Sequence, residues 1–332
     1  MKKYYPAYYY KFRCIASDCP DSCCKEWTVD VDREAAAAYR AMPGALGERL
    51  RSVLKDTEDG TIMENENGRC PMWQQDGLCR IQAELGHDAL CDVCRQFPRL
   101  RHDYGDFVEM GLELSCPEAA GLILGSEQAQ MCCTEQPGGE LPEYDGEVMA
   151  ILRQSRAQML ELLDDTRYSL PEALAIMLLH SHSVQARLDG GEGDIFDPES
   201  CLEQARKFAK VGDMAALFSF FSGLEILAED WAERLKSLPE PIRWTQPLRA
   251  LARYMIGRYW LQTVSDYDLV CRVKLTVVAC LLVGALGGDV IQTAQQFSKE
   301  IENDPDNIEA ILDGGHTAPA LTDVNLLSLL LA

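Results

Sequence analysis

Nine of the fourteen cysteines fall before residue 117 in tight groups: Cys14, Cys19, Cys23 and Cys24, then Cys70 and Cys79, then Cys91 and Cys94, then Cys116. The first group reads C-x4-C-x3-C-C and the third C-x2-C. Such short spacings let several thiolates converge on one zinc ion or one iron–sulfur cluster, each of which takes about four ligands. Nine candidates therefore mean either a subset around one cluster or two sites. Cys19, Cys23, Cys91 and Cys94 are slightly favoured, because C-x3-C and C-x2-C chelate readily. The remaining five, Cys132, Cys133, Cys201, Cys271 and Cys280, show no such spacing, and Cys280 lies in an apolar run that reads as core packing.

Several chemistries are excluded by what the spacing lacks. A radical S-adenosylmethionine motif needs C-x3-C-x2-C, and after Cys19 and Cys23 the required position holds Glu26. No histidine stands at zinc-finger spacing. His87 and His102 flank the third cysteine group, while His180 and His182 at i, i+2 face different sides of a helix. There is no G-x-G-x-x-G, P-loop, H-E-x-x-H or G-x-S-x-G, so a donor site of the usual α/β methyltransferase kind is not expected.

The elements that position these residues read as mainly helical. An irregular cysteine-rich N-terminal domain, residues 1–133, is expected to pack on a helical C-terminal domain, residues 145–332, across the Pro/Gly/acid-rich segment Thr134–Gly146. Beyond it, apolar residues recur at helical intervals from Val148, and over Pro171–Leu188, Glu199–Val211, Asp213–Leu238, Gln246–Thr263, Asp266–Leu286 and Asp289–Glu300. Ala35–Ala38 also reads as helix. Strand patterns are confined to short pieces such as Trp27–Val31 and Phe107–Leu114.

At 332 residues and 47% hydrophobic composition the chain can bury a substantial core. With 31 Lys and Arg against 53 Asp and Glu, the net charge is −22, which disfavours nonspecific nucleic-acid binding and suits a lysine-bearing protein partner. The opening MKKYYPAYYYKF has no apolar signal-peptide core, so a reducing cytoplasmic compartment, with metal ligation rather than disulfides, is expected. The apolar stretch Leu275–Leu286 is too short to span a bilayer, and no membrane span is expected.

The blocks FRCIASDCPDSCCKEWTVDVD (Phe12–Asp32), CPMWQQDGLCRIQAELGHDALCDVCRQFPR (Cys70–Arg99) and LELSCPEAAGLIL (Leu112–Leu124) resemble the bacterial flagellin lysine-N-methylase family in content and order. The segment Arg249–Leu275 is similar to that family's C-terminal helical part. The cysteine groups alone also resemble small cysteine-cluster proteins that chelate zinc or iron; the W-T-V-D-V-D continuation and the S-C-P-E block point to the methylase. The resemblance implies methyl transfer from S-adenosylmethionine to lysine ε-amines of flagellin, with an iron–sulfur cluster (4Fe-4S, zinc being the alternative) held by N-terminal cysteines.

Such a reaction needs a deprotonated lysine and favours an aromatic wall around the cationic donor. Tyr4, Tyr5, Tyr8, Tyr9, Tyr10, Phe12 and Trp27 supply aromatics near the cysteines, or else pack the N-terminal segment onto the fold. Arg95, Arg99 and Arg101 offer contacts for a donor carboxylate, or else pair with surface acids. Glu118 fits a helix first turn after Cys116. Two non-enzymatic readings stand beside the methyltransferase: an iron–sulfur redox sensor and a zinc-binding interaction module.

Overall fold

A computed structural model of the chain describes residues 1–25, 28–125, 130–139, 141–142 and 144–331. The fold is mainly α, as expected, with more sheet than the sequence pattern announces. Seven short strands are present among the described residues: β1 (Lys2–Pro6), β2 (Val29–Val31), β3 (Leu54–Asp56), β4 (Thr61–Met63), β5 (Arg99–Asp103), β6 (Phe107–Leu112) and β7 (Met131–Glu135).

Four of them form a mixed sheet in the order β5-β6-β1-β7. β1 runs parallel to β6, with Lys2 opposite Phe107, and antiparallel to β7, with Tyr4 opposite Cys133. β2, β4 and β3 make a separate antiparallel sheet. Thr134 and Glu135, read as the start of a linker, belong to β7, and Gly146 opens the first long helix. The strand expected at 27–31 is present over Val29–Val31, whereas Trp27 lies outside the described residues.

Helices begin where an acidic side chain can satisfy free N–H groups. Asp145, Asp197, Asp213, Asp268, Asp289 and Asp304 each accept from the first turn of the helix they precede, and Ser169 with Glu172 makes a capping box. Part of the acidic excess is thereby structural. The helix expected over Asp213–Leu238 is two, Met214–Phe221 and Glu229–Lys236. The break between them is fixed by the Glu300 carboxylate, which accepts the N–H groups of Leu227 and Ala228 at 2.8 and 3.1 Å.

Two hydrophobic cores result. The smaller gathers Val29, Val31, Tyr39, Leu50, Met63, Met72, Ile81 and Leu90 with Cys70 and Cys91, under the helices Arg33–Ala41 and Gly44–Val53. The larger unites Tyr9, Phe12, Phe107 and Leu114 with the helices from Gly146 onward. At its centre runs the helix Leu269–Leu286, packed by Leu170–Leu188, Gln246–Tyr259 and Pro305–Thr317. That helix is long and apolar enough to cross a membrane, but 94% of it is buried inside this fold, which explains its lack of a polar face.

Candidate functional site

The cysteines are brought together by backbone pairing across the smaller core. Cys70 N–H donates to the Cys24 carbonyl at 2.8 Å, and Lys25 bridges Arg69, so the first and second groups lie side by side. A bridge between Trp73 and Cys79 folds the second group back on itself. Cys79, Cys91 and Cys116 each stand at the N-cap of a helix, where backbone N–H groups favour a thiolate.

Six thiols share one neighbourhood. Cys24 interacts with Cys23, Cys70 and Cys79; these contacts push its pKa up and lower the other three, Cys79 to about 6 with help from the N–H groups of Gln82 and Ile81. Cys91 is lowered first by its contact with Cys94, whose own pKa that contact raises, and Cys94 in turn feels Cys70 and Cys23. Thiols that readily deprotonate are the form that binds soft metals. Cys14, Cys19 and Cys116 form a neighbouring set: Cys19 feels Cys14 and Cys23, while burial first drives Cys116 up to about 11. Of the four favoured positions, Cys23, Cys91 and Cys94 thus lie among the six, and Cys19 sits with Cys14 and Cys116.

A cleft of about 720 Å³ opens beside this group, bounded by Cys23, Cys94, Phe97 and Arg99 on one side and by Glu113, Arg258, Glu302 and Asn303 on the other. Arg258 lies on the helix Gln246–Tyr259; it donates to the Tyr254 hydroxyl at 2.6 Å and pairs with Glu302 at 3.3 Å. Tyr259 and Tyr254 donate to Glu302 Oε1 at 2.9 and 3.2 Å. The Glu302 side chain is fully enclosed. Burial raises both phenol pKa values, so the hydroxyls stay protonated as donors.

Glu302 ends a π-helical turn, Ser298–Glu302, whose five residues are all buried. π-turns are rare and recur at functional sites. Lys299 on this turn pairs with Asp21 at 2.8 Å, and Gln295 one turn earlier bonds Asp21 and the Ser115 carbonyl, tying the helical body to the first cysteine loop. Burial raises the Glu113 pKa against the pull of Arg258.

A second cleft, also of about 720 Å³, shares Arg258, Glu302 and Pro305 with the first and is lined by Asp266, Asp268, Glu309 and Asp313. The Arg258–Glu302 pair therefore separates a thiol-rich cleft from an acidic one. Neither residue stood out in the sequence; the signal was Tyr254, Arg258 and Tyr259 on one helix whose face is otherwise apolar, and a buried partner 44 positions on is invisible to local pattern.

The other expected residues lie as follows. Tyr9 and Phe12 are buried in the larger core, Tyr5, Tyr9 and Tyr10 pack edge to face, and Tyr8 lines a separate cavity of about 140 Å³, so the tyrosines pack the N-terminal segment rather than wall the cleft. Arg99 reaches the cleft, whereas Arg95 and Arg101 pair with Asp92 and Asp103. Glu118 is in a helix first turn. His87 is exposed beside Asp88, His102 is half-buried, His180 packs on Phe196, and His182 meets Asp323 at 2.8 Å.

The chain is 34% identical over 137 residues to the flagellar biosynthetic protein FliU of Salmonella muenchen, covering 37% of this chain and 78% of that protein. It is likewise 34% identical over 134 residues to the lysine-N-methylases of Salmonella typhimurium and Salmonella choleraesuis, covering 37% of this chain and 33% of each of them. The match therefore spans about a third of the length of those two enzymes. No protein-family model matches the chain, and no solved structure does.

Proposed function

The chain belongs to the family of FliU and the lysine-N-methylases, and on that premise we propose that it methylates lysine side chains of flagellin in the cytoplasm, with S-adenosylmethionine as donor. The observation that carries the reading is the pair of clefts meeting at Arg258 and Glu302. A volume of about 720 Å³ suits a ligand of the donor's size. Arg99 at the rim of the thiol-side cleft can hold the donor carboxylate, and the carboxylates of Glu113 and Glu225 in the same cleft suit its ammonium and sulfonium.

The acidic cleft attracts lysine in its charged form at the mouth. At its inner end Arg258 disfavours a second cation, so the amine gives up its proton there, and the Glu302 carboxylate is the acceptor, reached through the Tyr259 hydroxyl, which passes its own proton to Glu302 as it takes the amine's. The neutral amine then attacks the donor methyl: the N–C bond forms as the C–S bond breaks, the sulfonium becomes a neutral thioether, and the methylated amine leaves as the ammonium, while the proton held at Glu302 passes to water in the acidic cleft.

The six thiols Cys23, Cys24, Cys70, Cys79, Cys91 and Cys94 fit an iron–sulfur cluster, or zinc, by their chemistry, because their mutual contacts favour the thiolate at four of them, Cys23, Cys70, Cys79 and Cys91, and four ligands are what such a group requires. When bound, the group cross-links three chain segments and fixes the Cys23–Cys94 wall of the cleft. Flagellin incubated anaerobically with the metal-loaded protein and S-adenosylmethionine should gain methyl mass on lysines by mass spectrometry. Absence of that gain in a sample that also binds no donor would leave a metal-binding sensor in its place.

A further inference from the structure

We propose that Asp268, Cys271 and His316, apart from the N-terminal cysteines, form a zinc site with three protein ligands and a fourth position open to the acidic cleft. His316 Nε2 lies 2.9 Å from Asp268 Oδ2 and 3.3 Å from Cys271 Sγ, and the three ligand atoms all lie within 4.8 Å of one another. Around a tetrahedral zinc, with bonds of about 2.0 Å to oxygen and nitrogen and about 2.3 Å to sulfur, such atoms sit roughly 3.3–3.7 Å apart. The two separations from His316 close onto an ion with shifts of a few tenths of an ångström, and the third, within 4.8 Å, lies in reach of the same ion.

One imidazole nitrogen faces both a carboxylate and a thiol, and the protonated imidazole and the thiol can both donate to the Asp268 carboxylate, so three ligand atoms converge on one point. A divalent cation satisfies all three, and one carboxylate plus one thiolate neutralise its charge. The other Asp268 oxygen is already engaged, accepting from Cys271 N–H at 3.2 Å, which orients the carboxylate as a one-oxygen ligand.

The backbone is arranged for this approach. Cys271 lies in the first turn of Leu269–Leu286, and His316 in the last turn of Pro305–Thr317. A Cβ on Gly315 would stand 2.7 Å from Cys271 Sγ, so glycine lets the two helices meet here although it is a poor helix former. The nearby cations are committed elsewhere: Arg272 to Asp266, and Lys274 to the Gly315 carbonyl and Asp323. Asp268 and His316 line the acidic cleft with Gln262, Glu309 and Asp313, which leaves room for water or another small ligand at the fourth position. A donor set of one sulfur, one nitrogen and one oxygen suits zinc.

The test must be site-resolved, because on the function proposed above the N-terminal cysteines also bind metal. Crystals of the full chain soaked in zinc chloride, measured at the zinc edge, should show an anomalous peak within about 2.5 Å of Cys271 Sγ and His316 Nε2. In solution, Cys271→Ser and His316→Gln should each lower bound zinc by one equivalent per chain while leaving the iron content unchanged. The exposed His316 guards against misfolding in the buried cysteine variant. Zinc peaks confined to the N-terminal cysteines, or an unchanged zinc count in a folded His316→Gln protein, would overturn the assignment.

Discussion

The two cores differ in what holds them. In the helical body, buried aliphatic and aromatic side chains such as Leu152, Met159, Trp231, Leu281 and Phe297 are essentially solvent-free, and helix packs on helix through them. The smaller core has thirteen buried residues, two of them cysteines, under two short helices and a three-stranded sheet. Small cores supply little stability on their own and lean on cross-links. Hydrophobic packing holds the body, whereas thiolate ligation, on the proposed function, holds the lobe, and the cleft lies where the two meet.

That contrast is sharpened most by removing single cysteines. Cys24→Ala or Cys70→Ala should lose bound metal and unfold the lobe together, since the binding free energy of such sites, on the order of 10 kcal/mol, is folding energy. Metal content and near-ultraviolet circular dichroism would both fall. Cys280→Ala, fully buried in the body, should leave metal content intact and destabilise modestly. Equal metal loss in both kinds of variant would erase the distinction.

Within the body, Trp231→Ala should cost about 3–5 kcal/mol in denaturant unfolding through the cavity it leaves. Arg258→Ala should cost a similar amount, about 3–5 kcal/mol, because Glu302 would remain buried without its cation. Only the second should also abolish donor binding.

A smaller effect separates the regions by pH. Burial lowers the His180 pKa from 6.5 to about 4. The unfolded chain therefore binds the proton first, so stability is full above pH 6.5, falls as pH drops from 6.5 toward 4, and loses roughly 3 kcal/mol in all. His180→Phe should flatten that dependence in urea unfolding followed by helical signal, while the lobe's metal content at each pH stays that of the native chain. Smallest of all, breaking the exposed Lys207–Glu203 pair should leave the unfolding midpoint within error.

Local periodicity located most of the body. The helix Gly146–Asp164 and the helix Leu170–Leu188 lie where apolar residues recur at helical intervals, with Asp145, Ser169 and Glu172 marking their starts. It failed where distant groups decide. The pairing of β1 with β6 joins residues about a hundred positions apart, and the break between Phe221 and Glu229 is set by Glu300. In the same way cysteine spacing identified the nine-member pool, but their division into six and three depends on Cys24 meeting Cys70 across a backbone bridge. Of the Arg258–Glu302 centre, made by a helix face and a π-turn, only Tyr254, Arg258 and Tyr259 on an otherwise apolar face were legible, and the buried partner was not.

The central claim is that the donor binds between the lobe and the body, in contact with both. A crystal structure of the metal-loaded chain with S-adenosylhomocysteine tests it most directly. Ligand density is expected in the cleft bounded by Cys94, Arg99 and Arg258, with its sulfur directed toward the Arg258–Glu302 pair; density at any other place on the molecule, with that cleft empty, would contradict donor binding there.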